Sequence, residues 1–184
     1  VFFNMADLMQ TAYYSEKIPE YMESIAKGER EVKSLYEVRQ ILHEVCKKYN
    51  VKAIMAYNAA FDTKGLNTTQ RYVTKSAYRW FLPYGIEIEC IWHMACQTIC
   101  SMKKYYDFCI ENGFVSAAGN ISTSAETVYA FITNNPNFKE EHKGLEDVEI
   151  ETAIYTECRR KHKKMNKNIY RACWRIPQRK NGAR

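Results

Sequence analysis

The distribution of apolar and polar positions marks out a succession of helices and short strands. AYYSEKIPEYMESIAKG has the pattern of a helix broken or restarted at Pro19 and ended near Gly28, since proline lacks the amide that a helix interior needs and glycine accepts the left-handed turn that closes one. In EVKSLYEVRQILHEVCKKYN, Val32, Leu35, Val38, Ile41, Leu42 and Val45 recur at helical spacing. VKAIMAY is short and mostly apolar, as a buried strand is. NAAFDTKGLNTTQRYV then reads as a loop turning into a helix, and IEIECIW is β-branched and aromatic enough for a second strand. A long helix is predicted from about His93 to Asn112, closed by Gly113. GNISTSAETVYAFI begins another, with Thr123 and Glu126 at capping-box spacing. A last helix runs from about Glu146 to Lys164, and the opening VFFN resembles the tail of a strand entered midway. Strands alternating with helices predict an α/β fold with parallel strands covered by helices. Ligands of such sheets collect at the carboxyl ends of strands, where Asn58 to Asp62 falls.

Composition narrows the class. A chain of 184 residues is most simply one domain with a real core. We divide it into a body over 1–164 and a basic tail over 165–184. No run is apolar enough to span a bilayer and no secretory signal is visible, so no membrane partner is expected. Seven cysteines without a disulfide-framework spacing fit a reducing cytoplasm. Cys90, His93, Cys96 and Cys100 lie close in sequence but lack the paired spacing of zinc sites, and small buried residues are the simpler reading. The net charge of +6 is uneven: Arg159 to Arg184 holds eleven lysines and arginines and no acid, leaving the rest at −5. An acidic body with a basic end suggests an anionic partner held by the end and cations gathered in the body.

Two of the four aspartates fall in patterned surroundings: Asn58-Ala-Ala-Phe61-Asp62 and His142-Lys-Gly-Leu-Glu-Asp147. Taken singly, Asp62 is a helix cap and His142 a surface residue, with Glu140, Glu141 and Glu146 favouring the positive end of a helix. Together and in this order, the first resembles the second motif of the DEDD, or DnaQ-like, 3′–5′ exonucleases. The second resembles their third motif in the H-x4-D form of the DEDDh branch. The likeness covers roughly residues 50 to 160, and N-x-x-F-D is the rarer pattern, because four histidines each offer H-x4-D a chance.

The resemblance implies a ribonuclease-H-like mixed sheet flanked by helices and a metal-dependent 3′–5′ exonuclease acting on DNA or RNA. Hydrolysing a phosphodiester requires a placed water and neutralised phosphoryl oxygens, work suited to two divalent cations about 4 Å apart. Mg2+ or Mn2+ prefers carboxylates, so Asp62 and Asp147 are the implied metal ligands. Glu146 and Glu149 stand nearby, but the motif assigns the metal to Asp147. His142, whose residue type titrates near neutrality, is the implied general base. Asn58 and Phe61 would face substrate, Phe61 either stacking on a base or, the favoured reading, packing the core. Arg159, Arg160, Lys161, Lys163 and Lys164 would hold the phosphate backbone of a single strand or frayed 3′ end. A polymerase or replication protein is a further implied partner.

One family element is missing. The first motif, D-x-E, has no counterpart before Asn58, where Asp7 is followed by Leu8 and Met9. We expect its strand to lie upstream of Val1. The 184 residues alone should then bind magnesium poorly and degrade an oligonucleotide no faster than buffer. Robust activity would instead direct attention to Glu146, Glu149 and Glu151. The alternative is a non-catalytic nucleic-acid-binding protein that keeps the exonuclease fold.

Overall fold

The computed structural model describes residues 15–74 and 80–180. The strand expected at VFFN, Asp7, and the end of the basic tail beyond 180 lie outside the described residues. The chain divides into two compact units: residues up to 51 with 66–84, and 52–65 with 85 onward.

In the first unit, α1 (Ile18–Ala26) starts with Pro19 in its first turn, where the missing amide costs nothing. Beyond its end, Gly28 takes a φ of 74°. Helix α2 (Leu35–Lys48) is opened by Ser34, whose hydroxyl accepts from Glu37 N–H at 3.2 Å while the Glu37 carboxylate accepts from Ser34 N–H at 2.7 Å. This reciprocal box satisfies two amides that the first turn leaves unpaired. Lys47 and Lys48 sit in its last turn, beside the negative end of the helix. Phe81 and Leu82 are buried in this unit, and the Phe81 carbonyl lies 3.1 Å from both Arg39 Nε and the His43 ring. The apolar stripe that predicts α2 is only partly covered, with Val38, Ile41 and Val45 exposed.

The second unit holds the sheet. Strand β1 (Ala53–Ala56) pairs in parallel with β2 (Glu87–Cys90), Ala53 opposite Glu87 and Ala56 opposite Cys90. Helix α3 (Ala59–Thr74) follows β1 after a two-residue turn, so the expected loop shrinks to Tyr57 and Asn58. The long helix expected over His93–Asn112 is two, α4 (Ile91–Thr98) and α5 (Lys103–Glu111). Between them, the Ser101 hydroxyl donates to the Cys96 carbonyl and Cys100 N–H reaches back to Ala95 O. A serine that bonds the preceding turn in this way competes with helical pairing.

Helix α6 (Ala125–Ile132) begins one residue later than expected, with Ser124 rather than Thr123 as its cap. Thr123 is buried and accepts from the Trp92 indole, and the Glu126 carboxylate turns to the Glu140 amide. Helix α7 (Gly144–Arg160) presents Ile150, Ile154 and Cys158, one turn apart, to α4 and α6. The core there combines Met94, Ile99, Tyr105, Cys109 and Val128 with that stripe. The buried Tyr105 satisfies its hydroxyl on the Ser122 carbonyl.

Residues 166–178, leading into α8 (Arg175–Lys180), are tied to this unit. Lys167 pairs with Glu89 at 2.9 Å, Gln97 bonds both the amide and the carbonyl of Asn166, and the Gln178 amide group bonds both backbone groups of Ile121. No helix among the described residues is long and apolar enough to cross a membrane.

Candidate metal centre

Asn58 occupies the turn at the carboxyl end of β1 with a φ of 62°, a left-handed conformation that asparagine tolerates better than most residues. Its carbonyl accepts from Phe61 N–H at 2.8 Å, which starts α3 at once. Asp62 therefore stands in the first turn of α3. Its carboxyl is partly withdrawn from water, and that desolvation raises its pKa above the ordinary aspartate value. Phe61 is 73% exposed, which corrects the expectation that it packs the core.

The second motif forms the approach to α7. His142 adopts a φ of 54°, and the chain turns there into Gly144. No side chain caps the first turn from Lys143, but Glu146 accepts from Glu141 N–H at 3.0 Å and so braces the loop. Asp147 follows in the first turn of the helix. Oxygen and nitrogen atoms of Glu140, His142 and Asp147 all lie within 4.8 Å of one another. His142 Nδ1 is 3.7 Å from Glu140 Oε1. The Glu140 pKa is raised, first by desolvation and then by its hydrogen bond to Asp147.

Glu151 joins the two motifs. It lies one turn beyond Asp147, and the Tyr57 backbone just past β1 acts on its carboxyl, lowering its pKa. Burial lifts its pKa to about 7 against that effect, with Asp62, Asp147 and Glu140 adding like-charge repulsion. Glu151, Asp62, Asp147 and Glu140 thus share one electrostatic neighbourhood, reached from α3, the loop before α7, and α7 itself. Among the described residues no lysine or arginine pairs with any of the four. Lys139 pairs instead with Glu126, and Lys143 with Glu141.

Asp147 Oδ1 is buried without a hydrogen-bond partner. A buried acceptor in that condition is costly unless a bound ion or water satisfies it. The donor set is hard oxygen with one imidazole, which fits Mg2+ or Mn2+ and not a thiolate-seeking ion. Cys90, His93, Cys96 and Cys100 do not converge on a shared ligand position among the described residues. All four are buried, and His93 Nδ1 is engaged by the Asn168 carbonyl at 2.8 Å.

The pattern of the sequence leads to Asp62, His142 and Asp147, and it ranks Glu151 only among the reserves. Its D-x3-E spacing was the available signal, because residues four apart share a helix face. Glu140 has no such signal, since it arrives through loop geometry. The basic residues lie at the other end of α7. Glu157 pairs with Arg160 at 3.8 Å and with Lys161 at 2.5 Å. Arg159, Lys163 and Lys164 line a concavity of about 260 Å3 together with His162 and Met165.

Comparison with known proteins finds no matching family model, no matching curated protein and no matching solved structure.

Proposed function

We propose that this chain carries the centre of a metal-dependent 3′–5′ exonuclease of ribonuclease-H-like fold, hydrolysing phosphodiester bonds at the 3′ end of a nucleic-acid strand. The supporting observation is the convergence of two sequence-distant motifs at the carboxyl end of β1. The Glu151 carboxyl is acted on by the backbone at that strand's exit and by both Asp62 and Asp147. Asp62 and Asp147 would hold the cations, with Glu151 and Glu140 as further oxygen donors beside them. Held there, divalent cations would supply neutralisation of the phosphoryl oxygens and activation of the attacking water.

The remaining chemistry belongs to the chain. His142 accepts the proton of the attacking water, and the loop that carries it is anchored where the Glu140 amide donates to the Glu126 carboxylate at 3.0 Å. Phe61, exposed beside Asp62, offers a face on which a terminal base can stack.

The test is EDTA-sensitive release of nucleotides from a 3′-labelled single strand, using the 184 residues and the same chain extended upstream by its own coding sequence. In whichever form is active, His142→Ala is expected to lower turnover roughly a hundredfold or more with little change in substrate affinity. Asp147→Asn is expected to abolish the metal-dependent activity. Strand binding without hydrolysis in both forms would establish the non-catalytic reading instead.

A further inference from the structure

The far end of α7 carries more positive charge than the helix can use. Cations in a last turn interact favourably with the helix dipole, but that effect fades within the turn. It accounts for Arg159 and Arg160, which are helical, and not for Lys163 and Lys164, which lie beyond the end of α7. Glu157 divides the group: it engages Arg160 and Lys161. Arg159, Lys163 and Lys164 have no acidic partner among the described residues, yet all three border the same concavity. His162, with a φ of 50°, supplies the left-handed turn between the helix and the two lysines. Three like charges around one hollow repel one another, and an anion between them removes that cost.

We propose that this hollow is a phosphate subsite that grips the backbone of a single strand whose 3′ end lies at the carboxylate centre. The proposal rests on the nuclease reading for the position of the 3′ end, while the anion chemistry of the hollow stands by itself. A phosphodiester is recognised by charge without base preference, so the subsite is indifferent to sequence. Twelve residues separate Asp147 from Arg159 along α7, a rise of about 18 Å at 1.5 Å per residue. A stacked strand advances about 3.4 Å per nucleotide, so roughly five nucleotides bridge the two ends. Shorter strands engage the carboxylate end alone.

The experiment is fluorescence anisotropy of labelled dT3 and dT10 over a salt series, with Ca2+ in place of Mg2+. The triple variant Arg159→Ala/Lys163→Ala/Lys164→Ala is compared with the control Arg160→Ala/Lys161→Ala, in which the cations already paired by Glu157 are removed. Each single-strand phosphate contact contributes about 0.7 to the slope of log K against log salt, so the triple variant should flatten the dT10 slope by about 2. It should also weaken dT10 binding at least tenfold and leave dT3 unchanged, and the control should move the slope by less than half as much. Lys163→Gln alone, at an exposed position, should remove about a third of the effect, which keeps the test valid if the triple variant is poorly folded. Equal changes in triple variant and control, or an unchanged slope, would overturn the subsite. Loss of metal-dependent hydrolysis with length-dependent binding intact would overturn the nuclease reading and leave the subsite standing.

Discussion

Glu151 has a pKa of about 7 where an ordinary glutamate lies near 4.5. Burial is the main cause, and the neighbouring carboxylates push the same way. A carboxyl raised on folding favours the folded state while protonated, so its contribution is intact below about pH 4.5 and is lost as pH climbs to about 7. Asp62 and Glu140, also raised, act in the same direction. The melting temperature should therefore fall between pH 5 and 8 in the absence of divalent cations. Glu151→Gln should flatten much of that fall, and millimolar Mn2+ at pH 8 should restore part of it in the wild type. An identical pH slope in the variant would show that Glu151 is solvated like any surface acid. The sequence exposes Asp62 and Asp147 through short motifs, but the raised pKa of Glu151 depends on its burial and on Asp62, a residue of another element. Spacing along α7 places Glu151 on the face of Asp147; only folding delivers that face to the end of β1.

At the scale of elements, the helical period of α2 was legible in the sequence, while its cap was not singled out there. Ser34 and Glu37 form the capping box that opens α2, and Ser34→Ala should cost about 1 kcal/mol, read as a lower urea midpoint with an unchanged denaturant slope. A loss below a few tenths would mean that solvent replaces the cap. The T-S-A-E stretch before α6 was misread for a related reason. Thr123 and Ser124 both have cap chemistry, and the choice between them is made by Trp92, which takes the Thr123 hydroxyl. The break between α4 and α5 was illegible because its apolar period continues through Ile99 and Met102. What ends α4 is the hydroxyl of Ser101 turning back on Cys96, a bond that no hydropathy pattern records.

For the whole molecule, the alternation of strand and helix was enough to expect a parallel pair, and β1 and β2 are parallel. The pattern carried no sign of two compact units, because their boundary falls inside α3, whose residues 59–65 belong to one and 66–74 to the other. That boundary coincides with Gly65, a helix-interior glycine where an added Cβ meets nothing within 4 Å. Gly65→Ala should stabilise the chain by about 0.5–1 kcal/mol through lost backbone freedom in the unfolded state, measured as a raised urea midpoint. No gain would mean that the position is strained in a way its open surroundings do not reveal.

A helix divided in this manner also sets the grain of local opening. Amide hydrogens exchange with solvent at rates that report the least costly opening exposing them, and cooperative openings follow compact units more than helices. Deuterium uptake along α3 should therefore change level near its glycine, with the amides before it following the sheet and those after it following the helical unit. The two stretches of α3 would then keep two clocks.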